Sequence, residues 1–114
     1  MKTPEQITNS LVKEFDKLND IREQSLKLSR EIIKSCSKSI RNVHRNNLDE
    51  AKQHLDEANK NYQDLRSSLK DIPELRFAGY VNDSERELIE AFLVFEFEKT
   101  NSLLEFESMN VSAS

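Results

Sequence analysis

Only one glycine, Gly79, and two prolines, Pro4 and Pro73, interrupt this chain of 114 residues. A strand-rich fold needs turn residues at intervals of roughly 8–12 positions, and they are missing. Helices are therefore the expected elements, and apolar periodicity shows where they run. Thr3-Pro4-Glu5-Gln6 has the form of a helix start, with Thr3 as N-cap, Pro4 in the first helical position and Gln6 placed to close a capping box. Ile7, Leu11, Phe15 and Leu18 then recur at helical spacing, and the series resumes through Leu28, Ile32, Cys36, Ile40 and Val43 with no breaker before Asn46-Asn47. One helix of about 40 residues would be roughly 60 Å long, several times the radius of gyration of about 13 Å of a compact domain this size. A rod of that length requires neighbours.

Asn47, with Glu50 three positions on, reads as a capping box for a second helix. Leu48, Ala51, Leu55, Ala58, Tyr62, Leu65 and Leu69 follow at strict 3-4 spacing. The short connection favours an antiparallel hairpin over a parallel coiled-coil dimer. Pro73 pushes the residue before it out of the helical region and opens a connector that runs to Asn82. A third helix is expected from Asn82 or Asp83. Its run from Leu88 to Phe97 is apolar nearly all the way round, which predicts burial by several neighbours. Beyond Asn101 the periodicity fades. The fold expectation is thus all-α, a single domain over 1–114 built from a long antiparallel helical hairpin and a third buried helix, within a bundle that oligomerises. Its hydrophobic content of 36% is low for a compact globule and agrees with a core completed from outside.

Composition narrows function. Cys36 is the one cysteine, so no intrachain disulfide, zinc pair or dithiol motif exists, and its expected role is a small buried apolar residue. The polar start lacks a signal-peptide core, and no apolar run reaches the roughly 18 residues of a membrane span, so the expected location is the cytoplasm. There is no Glu-x-x-His pair and no glycine-rich phosphate loop, and the two histidines, His44 and His54, have no Ser or Cys nucleophile beside them. At a net charge of −4 the chain has no general attraction for polyanions, so a nucleic-acid role requires local concentration of cations.

Such a concentration lies between Gln24 and Leu48. Lys27, Arg30, Lys34, Lys38, Arg41 and Arg45 face a single acid, Glu31, and His44 stands at the edge of the group. At 100° per residue the six cations fall within about 80° of one another, opposite the apolar series. The stripe, about 27 Å long, suits a phosphate backbone, and equally suits a solvated face paired with acids of neighbouring helices. A second constellation opens the third helix, where Asp83, Glu87 and Glu90 share a face that runs into Val94 and Phe97. Carboxylates so placed compensate the helix dipole and pair with Arg86, or they hold Mg²⁺, whose bound water hydrolyses phosphodiesters. Phe77 and Tyr80 in the connector stack bases in one reading and anchor the connector to the core in the other.

The order of three stretches resembles the translin family, including translin-associated factor X and its archaeal members. They are Arg30-Glu31-Ile32-Ile33 through Ser39-Ile40-Arg41-Asn42-Val43-His44-Arg45, then Pro73-Glu74-Leu75-Arg76-Phe77-Ala78-Gly79-Tyr80-Val81, then Glu87-Leu88-Ile89-Glu90-Ala91. Lys99-Thr100-x-Ser102-Leu103 also fits, so the likeness spans about Ser29 to Leu104. The resemblance implies an all-helical subunit of a closed, shell-like oligomer, built from copies of itself or from related translin-family subunits, which binds single-stranded RNA or DNA on a basic inner surface. In the factor X branch it further implies a metal-dependent endoribonuclease using the two glutamates that match Glu87 and Glu90, with Mg²⁺ as the ion, and an aspartate from a later helix. The family continues with several more helices, so this chain looks like the N-terminal half of a member.

Overall fold

The computed structural model describes residues 1–76 and 78–113, and its elements are all helical: α1 (Pro4–His44), α2 (Leu48–Leu69), α3 (Pro73–Arg76) and α4 (Gly79–Ala113). The first helix starts as the sequence dictates. Thr3 accepts a hydrogen bond from the Gln6 backbone N–H at 3.2 Å, and the Gln6 side chain accepts one from the Thr3 N–H at 3.0 Å, closing the box. At its other end Asn46 takes φ = 60°, a left-handed conformation asparagine tolerates. The Asn46 N–H then donates to the Val43 carbonyl and the Asn47 N–H to that of Asn42 at 2.8 Å, a Schellman ending that reverses the chain in three residues. The hairpin is thereby antiparallel.

Several expectations are corrected. Asn47 occupies the N-cap of α2, but its side chain makes no capping bond, because the chain enters directly from the Schellman turn. The connector contains a one-turn helix, α3, and the last helix starts at Gly79 rather than at Asn82 or Asp83. That helix also continues past Asn101 to Ala113, since a fading apolar pattern removes a packing face without removing helix propensity.

The core is a three-helix seam. Ile32, Cys36 and Val43 of α1 meet Ala51, Leu55, Ala58, Tyr62, Leu65 and Leu69 of α2, with Leu75 of α3 and Val81, Ala91 and Phe95 of α4 closing the third side. Between the apolar residues of α1 stand buried serines, so its inward face reads Ser25, Ser29, Ile32, Cys36, Ser39, Val43 at 4-3-4-3-4 spacing. Small side chains let the helices approach, and each hydroxyl needs an acceptor in the dry seam. Ser25 donates to its own helix at the Ile21 carbonyl, Ser39 to the Ala51 carbonyl of α2 at 2.8 Å, and Ser29 to the Tyr80 carbonyl of α4 at 3.0 Å. Ser29 also shares a hydrogen bond with Ser84, which is itself buried.

The packed region is only part of the length. The molecule measures 86 × 19 × 17 Å with a radius of gyration of 21.4 Å, against about 13 Å for a compact chain of this size. Because Ser29 stands beside Tyr80 and Ser84, and Cys36 lies close to Glu87 and Glu90, α4 runs parallel to α1 and offset along it. The N-terminal part of α1 therefore projects from one end and the C-terminal part of α4 from the other. Ile7, Leu11, Phe15 and Leu18 are exposed, not packed. The apolar run of α4 is likewise divided. Ala91 and Phe95 are buried, while Ile89, Phe92, Leu93 and Phe97 are each at least half exposed because two helices cover one side only.

Candidate nucleic-acid interface

The basic stripe lies where the wheel places it. Burial of the Ser25–Val43 seam turns the opposite face of α1 outward, leaving Lys27, Arg30, Lys34, Arg41, His44 and Arg45 exposed and Lys38 half-buried. Arg41 Nε makes a long hydrogen bond of 3.4 Å to the Ser37 carbonyl one turn back. Among the described residues none of the six cations forms an ion pair, and the one salt bridge is between Arg86 and Asp83 within α4. The alternative of a face neutralised by neighbouring acids is not what the helices build, since α2 and α4 both pack on the far side of α1. At its N-terminal end the stripe runs into an open groove of 560 Å³ lined by Glu23, Gln24, Lys27, Arg30 and Glu31.

The carboxylate constellation is only partly assembled. Asp83 is exposed and pairs with Arg86; Glu90 is exposed and Glu87 half-buried against α1. Of the three carboxylates only Glu87 is partly desolvated, because the buried side of α4 passes through Ser84, Ala91 and Phe95 instead. Among the described residues no three His, Cys, Asp or Glu side chains form a metal-binding group. Glu87 and Glu90 alone would leave most of the coordination shell of Mg²⁺ to water.

These two glutamates nevertheless act on Cys36. The thiol is fully buried, and burial first, then the charges of Glu87 and Glu90, push its pKa from 9.0 to about 11. Below pH 9 the thiol is neutral in folded and unfolded chains alike. Between pH 9 and about 11 only the unfolded chain loses the proton, so stability falls as pH rises, by about 2 kcal/mol across the window. Urea melts from pH 8 to 11 should show this loss in the native chain and a smaller one in Cys36→Ala.

A second basic surface went unread in the sequence, because it needs three elements to converge. The end of α2, α3 and the first turn of α4 enclose a cleft of 450 Å³ lined by Arg66, Lys70 and Arg76 over a floor of Leu69 and Val81. Glu85 also lines it. Burial and then a hydrogen bond to Glu85 raise the pKa of the Tyr62 hydroxyl on its wall. Of the connector pair, Tyr80 packs against the core, as in the anchoring reading, and Phe77 lies outside the described residues.

Comparison with known proteins adds one relationship. The chain is 32% identical over 103 residues to an uncharacterized protein of the archaeon Methanocaldococcus jannaschii, a match over 90% of this chain and 45% of that protein. This chain thus spans less than half the length of the curated relative it matches. No family model matches it, and no solved structure is similar to it. No helix among the described residues is long and apolar enough to cross a membrane.

Proposed function

We propose that this chain is a single-stranded nucleic-acid-binding subunit of the translin type, which holds the phosphate backbone of RNA or DNA along α1. The observation that carries this reading is the run of exposed, unpaired cations, Lys27, Arg30, Lys34, Arg41 and Arg45, with Lys38 among them, on a straight helix face. Successive members stand three or four residues apart, a rise of about 5–6 Å, close to the spacing of phosphates along an extended strand. The contacts are to charge and not to base edges, so the stripe selects a polyanion without selecting a sequence. The exposed apolar faces of α1 and α4 support assembly with further subunits of the same kind.

The test is fluorescence anisotropy of a labelled single-stranded RNA at about 50 and 200 mM salt. Six phosphate contacts give a slope of about −4 in log K against log salt, hence a roughly 300-fold loss of affinity over that interval. An affinity that does not move with salt, or no binding at the lower salt, rules the reading out.

A further inference from the structure

The cleft formed by the end of α2, α3 and the first turns of α4 is lined by no residue of α1, and it lies on the side of the bundle away from the basic stripe. Its floor is set by core packing. Tyr62, Leu69 and Val81 are buried members of the three-helix seam, so the hollow exists before anything enters it. At 450 Å³ it falls among small-ligand sites, which run from about 300 to 1,000 Å³. Two turns of a helix about 10 Å wide would not fit.

The charges around this hollow do not cancel. Arg66 and Lys70 stand one turn apart on α2, and Arg76 comes from α3. Glu85 is the one carboxylate in the lining, since Asp71 and Glu74 of the connector are exposed and line no part of it. Three cations against one carboxylate leave two positive charges, which a phosphomonoester balances near neutral pH. The dipole at the end of α2 favours cations in its last turn, but a single turn such as α3 has almost none to compensate, and Arg76 still adds its charge to the same hollow. The other wall differs in kind. Asn82 and Glu85 stand one turn apart on α4, and Glu85 is held there by the Tyr62 hydroxyl, which donates to it. A carboxylate accepts more than one hydrogen bond, so Glu85 keeps capacity for the N–H donors of a base edge, and Leu69 and Val81 offer an apolar surface to the face of a ring.

We infer that this cleft binds a nucleoside 5′-phosphate, with the phosphate between Arg66, Lys70 and Arg76 and the base laid on Leu69 and Val81 with its donor edge toward Glu85. Guanine, which has two adjacent N–H donors, suits the carboxylate best. A free nucleotide and the phosphorylated 5′ end of a strand present the same group. The inference does not rest on the stripe, because the two surfaces share no residue.

Calorimetric titration of the whole chain with GMP, guanosine and inorganic phosphate is the test. GMP should bind about tenfold or more tightly than either of its parts. Lys70→Gln with Arg76→Gln should weaken GMP by about tenfold or more, with helical circular dichroism unchanged because both positions are exposed. Glu85→Gln should weaken GMP without weakening inorganic phosphate. The source of the phosphate is read in a Lys34→Glu, Arg41→Glu background, where the stripe is disabled. There a short 5′-phosphorylated RNA that binds better than its 5′-hydroxyl twin assigns the cleft to a strand end, and binding of GMP alone assigns it to a free nucleotide. If GMP does not bind at millimolar concentration and the two RNAs behave alike, the inference is overturned. GMP binding that survives Lys70→Gln with Arg76→Gln overturns the cleft as its place, and inorganic phosphate bound as tightly as GMP overturns the role given to the base.

Discussion

Truncating Leu65 to alanine is expected to remove about 3 kcal/mol of stability, a large part of what the folded chain has. Leu65 is fully buried at the centre of the α2 seam, between Tyr62 and Leu69, where α2 faces α1 and α4. Its loss removes the transfer free energy of three carbons and leaves a cavity that two long helices, tied at a Schellman turn and at the Ser29–Ser84 contact, cannot close by shifting. A compact domain of this length is stabilised by some 5–15 kcal/mol, and here much of α1 and α4 projects beyond the seam and adds little. With a urea m-value of about 1.5 kcal/mol per molar, the midpoint should fall by about 2 M. Leu11→Ala is the matched comparison. Leu11 is 64% exposed, so the same truncation in dilute protein should change the midpoint little. Similar costs at the two sites would mean that the three-helix seam is not where stability resides.

The sequence made α2 easy to read, because all its seam positions are apolar and their unbroken 3-4 spacing lines one face of a helix and no face of a strand. The seam of α1 was harder. It alternates Ser25, Ser29 and Ser39 with Ile32, Cys36 and Val43, and serine counts as a surface residue unless an acceptor for its hydroxyl is known. Ser25 finds its acceptor one turn back at Ile21, but those of Ser39 and Ser29 are carbonyls at Ala51 and Tyr80, one on the returning helix and one beyond the connector, and no local pattern reveals them. The spacing itself was the available signal, since Leu11, Leu18, Ser25, Ile32 and Ser39 recur at sevens. In α4 the run Leu88–Phe97 predicts burial by several neighbours, whereas the helices of this chain cover one side only, since an all-round apolar pattern does not tell which of its sides the same chain will cover. The stripe was legible because seven residues on one helix need no tertiary information. The Arg66–Lys70–Arg76 cleft was not, for the opposite reason.

Charge reversal in the stripe should have the larger effect on binding. Lys34→Glu with Arg41→Glu replaces two of six aligned cations by anions, so the reversed charges cancel two of the four that remain. The slope of log K against log salt should fall from about −4 to about −1.5, and affinity at the lower salt by on the order of a hundredfold or more. Both side chains are exposed, and neither contributes to the buried seam, so the melting transition should move by less than about 0.5 kcal/mol. A reversal of Lys52 and Lys60 on the exposed side of α2 keeps the same net charge change while leaving the stripe intact. If that variant loses affinity as much as the stripe variant does, binding follows the charge of the whole chain and α1 holds no strand. If only the stripe variant fails, the six cations act together as one surface, and a face of a single helix accounts for the polyanion affinity of a chain whose net charge is −4.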